Sequence, residues 1–453
     1  MQITIHRGSH EIGGSCVELR SQGRSLLLDL GMPLVNPDGS QFDQDWLKGK
    51  SVSDLVAEHT LPDVPGLYGK GECSVEGVLL SHSHGDHCGL AQYVRSDVRF
   101  FMSVGTAATI NVAADFIKDG VRLPNATLIE KMWAPISLGP FTVKAHPVDH
   151  SAFDALAFEI EADGHRVFYS GDLRFHGRTH KKSEHLIESP PRHIDAMIME
   201  GSSLGRGPDE YPFQSEQQVA RAFIKAIKGK RNLAMIYCAG QNVDRIASAY
   251  GAAKQTGREL VIDLYTAALL DAWKSPANRL IGYKSDGVRV LFWPNQMEVM
   301  MRTRRDLYDQ IMRSKHGIKR DELLAQPQKF LVLAKANSLY DKHILRKLSS
   351  TDDLVMIWSM WSKYLERDNI RRHFQQFCGE RGIAYQTIHA SGHATVPDLT
   401  RLVSAMRPKR LIPIHTFYPE DYHRFGAPVE ELKDGATLDL SEPPARRPCL
   451  RGS

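Results

Sequence analysis

Paired cysteines are missing from this sequence. Its six cysteines (Cys16, Cys73, Cys88, Cys238, Cys378 and Cys449) are scattered, and no two form a Cys-x-x-Cys pair. That argues against a disulfide framework or a structural zinc knuckle, and for reduced thiols in a cytoplasmic protein. No segment approaches about 18 uninterrupted apolar residues, so no membrane partner is expected. The opening MQITIHRGSHEIGG has no basic stretch followed by an apolar one, so export is not expected either. Charge of one sign is scarce too: 57 basic residues face 53 acidic ones, for a formal charge of +4. Such an excess suits a polyanionic partner but falls far short of a dedicated nucleic-acid coat. Internal repeats and low-complexity runs are absent. At 453 residues the chain is too long for one ordinary core, and two or three units are expected.

The first third reads as strands joined by polar turns. QITIH, CVELR and SLLLDLG are short apolar or alternating runs with glycine-containing breaks. From Pro33 to Glu72 the pattern is less regular and reads as loop with a short helix. VEGVLLSHSHGDH, FTVKAHPVDH, LAFEIEADGHRVFYSGD and DAMIME follow, each a strand ending in polar or ionisable residues; EADGHR has the Asp-Gly signature of a hairpin. After Gly201 the texture changes. SEQQVARAFIKAIKGK starts with a Ser215-x-x-Gln218 capping box and sets Val219, Phe223, Ile224 and Ile227 on one helical face. Strands such as NLAMIYCA, ELVIDL, VRVLFWP, KFLVLA and DLVMIW then alternate with helices such as NVDRIASAYGAAKQTG, EVMMRTRRDLYDQIMRSK and NIRRHFQQFCGERG. This alternation predicts a parallel, Rossmann-like α/β unit over about 207–385. A strand in IAYQTIH, a helix opened by Pro397 and the strand RLIPIH close the pattern, and the tail SEPPARRPCLRGS reads as loose.

The chain holds 20 histidines, and they cluster. LLSHSHGDHCGL, residues 79–90, places His82, His84, Asp86 and His87 just past an apolar run. Imidazole suits a borderline-soft divalent cation such as zinc, and a carboxylate can hold or bridge a second one. His82 and His84 are spaced to reach one ion from a turn, while Asp86 and His87 are placed for a neighbour. Gly85 and Gly89 are expected to let the backbone turn sharply there. The bland alternative is a solvated strand-to-helix turn. One cluster does not complete two metal sites. His150, Asp172 and His415 each end a predicted strand, where a rigid scaffold can hold a side chain. Alone, each reads equally as a turn or cap residue; with the cluster, they supply the missing donors.

The order HxHxDH, then His, Asp and a distant His, resembles the metallo-β-lactamase fold hydrolases. The long α/β insertion between Asp172 and His415 narrows the resemblance to the β-CASP nucleases, and ribonuclease J-like bacterial proteins are similar across essentially the whole chain. The resemblance implies an α/β fold: an αββα metallo-β-lactamase sandwich carrying an inserted Rossmann-like β-CASP domain. Its implied domains are 1–206, the insertion 207–385, and 386–453 completing the first. It further implies that His82, His84 and His150 hold one ion, that Asp86, His87 and His415 hold the other, and that Asp172 bridges them. Asp29 in LLLDLG matches an aspartate that supports the ligands from behind. Glu200 in MEGSSLGR, His393 in HASGHA and His415 in IPIHT match the three extra motifs of the group. Asp86, Glu200 and His393 are thus the catalytic candidates. The cofactors implied are two divalent ions, Zn2+ first and Mn2+ as an alternative. Two close ions generate a hydroxide near neutral pH and clamp a phosphodiester. His393, hydrogen-bonded to Glu200, is a suitable proton donor or phosphate contact.

The implied activity is hydrolysis of single-stranded RNA, as a 5′-to-3′ exonuclease or an endonuclease, with single-stranded DNA as an alternative substrate. Ser391, Gly392 and His393 are candidates for phosphate binding. Gln241 and Asn242 in YCAGQNVDRI are another pair, although a simple helix cap at Asn242 explains them equally. Arg302, Arg304 and Arg305 share one expected helical stretch, as do Arg371 and Arg372; such clusters track a nucleic-acid strand or form a solvated face. Trp358, Trp361 and Tyr364 read as core or as base-stacking residues. Two departures stand out. Thr416 and Phe417 follow His415 where many relatives carry Gly-Glu. The chain also stops without the C-terminal domain through which relatives oligomerise, so a dimer does not follow from the resemblance. The stretch 33–72 has no counterpart and is expected to roof part of the cleft. A small-molecule ester or thioester hydrolase of the same fold is the main competing reading, disfavoured by the insertion and by Glu200 and His393. A non-catalytic scaffold is disfavoured by the complete ligand set.

Overall fold

The computed structural model describes residues 1–36, 40, 42–117, 120–207, 213–275 and 280–443. Two mixed sheets face one another. The first runs, in spatial order, Thr437–Asp439, Gln2–Arg7, Cys16–Ser21, Arg24–Leu28, Val75–Leu79, Phe100–Ser103 and Ala126–Ile129. The second runs Leu411–Ile414, Ala196–Glu200, His165–Tyr169, Leu156–Ala162, Phe141–Pro147 and Ile136–Leu138. Strand period explains the layers, because successive side chains point to opposite faces. Leu26 and Leu28 enter the core between the sheets, whereas Leu27 joins the apolar layer behind the first. Ile198 likewise points inward, while Met197 and Met199 point outward against Leu186, Leu402 and Val403. Helices cover both outer faces, which makes an αββα sandwich.

A third sheet, Gly317–Ile318, Val288–Leu291, Glu259–Asp263, Phe330–Ala334, Ala234–Tyr237, Val355–Trp358 and Gln386–Thr387, is parallel throughout. Its strands are apolar on both sides, as parallel strands flanked by helices must be. Ala234, Ile236, Leu260 and Ile262 face one core, and Met235, Tyr237, Val261 and Trp358 the other. Apolar and ionic contacts join this unit to the sandwich. Val112 of helix Val104–Phe116 sits in the same core as Leu264 and Leu269, Trp273 Nε1 donates to Thr109 Oγ1 at 2.8 Å, and Arg304 pairs with Asp115 at 3.1 Å.

Local details follow the sequence closely in places. Ser215 caps helix Glu216–Ile227 by accepting from Gln218 N, but Gln218 Oε1 accepts from Gln214 N rather than closing the box on Ser215. Asp163 and Gly164, both at positive φ, form the hairpin turn. Elsewhere the structure corrects the sequence reading. The helix through Arg302–Arg305 breaks at Arg304, which leaves the helical region (φ −143°) to reach Asp115, and Arg305 pairs with Asp309. Only Gln386–Thr387 of IAYQTIH is strand, and it hydrogen-bonds to Val355–Trp358 in the third sheet. Residues 33–72 do not roof the cleft with their apolar side chains: Leu47, Leu55, Leu61, Val64 and Leu67 pack behind the first sheet with Leu27 and Leu80. Trp358 is wholly buried core. The tail from 444, with Cys449, lies outside the described residues. No helix among the described residues is long and apolar enough to cross a membrane.

Phe158 is fully buried between the two facing sheets. Phe158→Ala should therefore cost about 3–5 kcal/mol of stability, from lost transfer energy and the cavity left behind; urea denaturation measures it.

Candidate metal centre

Every ligand candidate sits at or just past the C-terminal end of a strand. Val75–Leu79 leads to His82 and His84, Phe141–Pro147 to His150, His165–Tyr169 to Asp172, and Leu411–Ile414 to His415. His84 is the N-cap of a short helix, Gly85–Cys88, that carries Asp86 and His87. Neither Gly85 nor Gly89 adopts a left-handed φ, which corrects the expected sharp turn. Close approach explains Gly89 instead, whereas a Cβ on Gly85 would meet open space. A Cβ on Gly89 would lie 2.7 Å from Met32 Cβ, and one on Gly31 would collide with the Asp86 carbonyl. The strand ends and this helix are thereby pressed together.

The side chains converge on Asp172. Its Oδ2 lies 3.2 Å from His87 Nε2, 3.7 Å from His393 Nδ1, 3.8 Å from His82 Nε2 and His415 Nε2, and 3.9 Å from His150 Nε2. Asp86 Oδ2 is 3.8 Å from His415 Nε2, and His84 Nδ1 is 3.3 Å from His150 Nε2. Donor atoms of His82, His84 and His150 lie within 4.8 Å of one another, as do those of His82, Asp86 and His87 and those of His87, Asp172 and His415. Those of His150, Asp172 and His393 are equally close.

Whether a cation fits here is decided by the unpaired atoms. His82 Nε2, His87 Nε2, His415 Nε2 and Asp172 Oδ1 are buried with no hydrogen-bond partner among the described residues. A buried polar atom left unpaired costs free energy, so such a concentration points to a ligand that binds lone pairs. The protonation balance agrees. Burial and neighbouring imidazoles hold His82 well below its ordinary pKa; burial likewise lowers His84, His150 and His415. Neutral imidazoles are what a metal ion requires. Burial opposes ionisation of Asp172, but His415, His87 and His393 outweigh it and hold the carboxyl well below its usual range. His87 alone among the ligand histidines is pushed up, with burial overcome by Asp172 and Asp29. The residues present therefore fit divalent metal binding.

A supporting layer fixes these ligands. Asp29 Oδ2 accepts from His87 Nδ1 at 2.8 Å, from Tyr169 OH at 2.7 Å and from Ser81 Oγ at 2.7 Å, while its Oδ1 accepts from Ser81 N at 2.7 Å. That bond places the His87 proton on Nδ1 and turns Nε2 toward Asp172. Asp29 and His415 both adopt left-handed backbones, φ 58° and 54°. Each carries a local cost of roughly 1–3 kcal/mol that the surrounding packing offsets.

Beside the cluster, His393 Nδ1 lies 3.3 Å from Glu200 Oε1. Burial disfavours charge on His393, yet Glu200 and Asp172 raise its pKa above the ordinary value. Glu200 is fully buried and accepts from Ser202 N at 3.0 Å. The loop bearing His393 is anchored from below: the Ser391 carbonyl accepts from Arg174 Nη1 and His176 Nε2, both at 3.0 Å. Arg174, itself fully buried, also pairs with Asp149 at 3.5 Å, Glu216 at 3.1 Å and Asp244 at 2.6 Å. Arg245 continues the network to Glu216 at 2.9 Å and to the Ala390 carbonyl. This ionic knot was not found from the sequence. The available signal was adjacency, since Asp149 and Arg174 flank the ligand positions 150 and 172.

Ser391, Gly392 and His393 are thus brought to the cluster. Gln241 and Asn242 are engaged locally: Gln241 Nε2 donates to Tyr265 OH at 2.7 Å, and Asn242 Oδ1 caps helix Val243–Gln255. A cavity of about 1170 Å3 lies elsewhere, between Thr4, His6 and Glu18 on the first sheet and the segment carrying Phe42 and Trp46. None of the ligand candidates lines it, and the convergent donors mark the functional site better than volume does.

The fold is that of the metallo-β-lactamase-type αββα sandwich. Residues 52–235 match the beta-lactamase superfamily domain, and residues 383–421 match the Zn-dependent metallo-hydrolase RNA specificity domain. More particularly, the chain is similar to proteins named ribonuclease J over most of its length. It is 22% identical over 441 residues to a ribonuclease J of Helicobacter pylori, covering 92% of this chain and 56% of that one. A ribonuclease J of Mycoplasma genitalium is 22% identical over 438 residues, covering 91% and 67%. The chain therefore spans about half the length of the first of these relatives. A solved structure of a protein of unknown function from Enterococcus faecalis V583 matches with a TM-score of 0.76 at 22% identity, covering 96% of this chain and 99% of that one, and shows the same fold.

Asp29→Asn would replace the acceptor that orients His87. Metal affinity should fall about 10–100-fold with the fold intact, read by competition against a chelator of known affinity.

Proposed function

We propose that this chain is a two-metal-dependent ribonuclease that hydrolyses phosphodiester bonds of single-stranded RNA, as a 5′-to-3′ exonuclease in the cytoplasm. The observation that carries the reading is the His393–Glu200 pair, 3.3 Å apart, set against the ring of donors around Asp172. A site for small esters needs the donors but no such pair. The similarity to proteins named ribonuclease J, and to an RNA specificity domain at 383–421, adds support.

In this reading the domains are 1–206, 207–385 and 386–453. His82, His84 and His150 would hold one ion, Asp86, His87 and His415 the other, and Asp172 would serve both. The imidazole-rich set favours Zn2+, with Mn2+ as a functional substitute. When bound, the two ions supply Lewis acidity: they acidify water and offset phosphate charge. The chain's own residues supply the rest. Asp172 and Asp86, fixed by their strand end and short helix, set the position of the charged centre against the scissile phosphate. His393, kept protonated by Glu200, hands its proton to the departing oxygen. Glu200 is a positioning residue: its buried carboxylate, held by Ser202 N, aims the imidazole. Ser391 and Gly392 present the loop to the phosphate, while Gln241 and Asn242 are assigned to the substrate wall further out.

The test uses two matched single-stranded RNAs, one with a 5′-monophosphate and one with a 5′-hydroxyl. Release of mononucleotides from the monophosphate substrate alone is expected, and none from a His84→Ala variant. Cleavage of neither RNA by protein loaded with two metals would remove the reading. His393→Ala should lower kcat by about 10²–10⁴-fold at unchanged metal content, the usual contribution of a positioned proton donor. Dialysis against chelator should abolish cleavage and lower Tm, and Zn2+ or Mn2+ should restore both, because an ion bound only by the folded state stabilises it.

A further inference from the structure

The aromatic stretch IWSMWSKY divides in two. Trp358 is wholly buried in the core of the third sheet. Trp361, three residues later, is only partly buried, and two cations lie against its ring. The Arg206 guanidinium sits 4.8 Å from its ring centroid, and Lys363 Nζ sits 5.4 Å away. Tyr364 packs edge-on at 5.7 Å, and the Arg367 guanidinium lies 4.1 Å over the Tyr364 ring. Trp358 Nε1 donates to the Trp361 carbonyl at 3.2 Å, which pins the loop, whereas the indole N–H of Trp361 has no partner among the described residues.

The position of this cluster gives it meaning. Arg206 lies on the segment that leaves Glu200, and Ser202 on the same segment donates to the His415 carbonyl at 3.3 Å. Trp361 and Tyr364 come from the other unit, after strand Val355–Trp358. The cluster therefore joins the segment that runs on from Glu200 to the loop that follows strand Val355–Trp358. Burial raises the Tyr364 phenol, so the ring stays neutral. Flat rings flanked by guanidinium and ammonium groups suit a ligand that carries both a π-face and a phosphate. A base stacked on an aromatic ring is worth roughly 5- to 150-fold in binding, against about 2- to 5-fold for an exposed cation on the same ring. A base therefore outcompetes the exposed Lys363 for the ring, and the cations then serve the phosphate.

We propose that Trp361 and Tyr364 form a base-stacking platform at the mouth of the metal centre, holding one nucleotide of single-stranded RNA beside the scissile phosphate. Arg206 and Lys363 meet the backbone of that nucleotide. Single strands are selected because in a duplex both faces of an internal base are already covered. The proposal rests on the ribonuclease reading and names the contact that gives it strand specificity.

The test is fluorescence anisotropy of a labelled single-stranded RNA on the full chain carrying His84→Ala, so that binding is read without cleavage. Adding Trp361→Ala should weaken binding about 5- to 150-fold, and Trp361→Phe, which keeps a ring and guards against a folding defect, should recover most of it. A series of RNAs with one abasic nucleotide at each position should show one position where the loss matches Trp361→Ala. There the variant should lose nothing further. Arg206→Gln should reduce the salt dependence of log K by about one phosphate contact. Unchanged binding by Trp361→Ala, or losses that multiply at every abasic position, would overturn the platform while leaving the nuclease reading intact. If the chain neither binds nor cleaves RNA, both fall together.

Discussion

One buried carboxylate organises this molecule. Asp172 Oδ2 has imidazole nitrogens of His82, His87, His150, His393 and His415 within 3.9 Å, and water does not reach it. An ionised carboxylate in such a place is tolerable only if positive charge is arranged around it. Several strand ends must therefore be held in register to better than an ångström. The αββα sandwich meets that demand, because its strands are locked by apolar cores on both faces and deliver their terminal residues to one rim.

The second requirement is that the inserted unit hold its place on that rim. Apolar contacts between helix Val104–Phe116 and Leu264–Ala272 attach it on one side. The Arg174–Glu216–Arg245 network attaches it on the other, wholly out of water. Truncating one member of such a network leaves a buried charge unpaired, so the units resist sliding past each other. The same arginines grip the carbonyls of Ser391 and Ala390. The loop that carries His393 is thus positioned by both units at once.

Much of this was legible in the sequence because the chemistry is local there. HxHxDH gathers four donors within six residues, and strand-terminal His150, Asp172 and His415 stand out against apolar runs. Period-2 and period-3.6 patterns gave the alternating insertion for the same reason. Most of the misses are contacts between distant segments. Nothing in TRRD says that Arg304 leaves its helix to reach Asp115, 189 positions earlier. Nor does the irregular 33–72 stretch reveal that its scattered leucines complete the layer behind the first sheet. The glycine reading failed differently: Gly31 and Gly89 are required by what lies opposite them, which no local pattern encodes.

Strand Leu411–Ile414 pairs in parallel with Ala196–Glu200 across the whole insertion. On a chain emerging from the ribosome, His82 to Asp172 are present long before His415 and His393. Strand pairing over such a separation is slow, since its entropic cost comes before its reward. The early segment can present a half-built donor set, but His415 and His393 arrive only after the inserted unit has been made. Assembly order thus acts as a safeguard: a truncated chain lacks both, and the donor cluster is completed only once the inserted unit that walls it has been made.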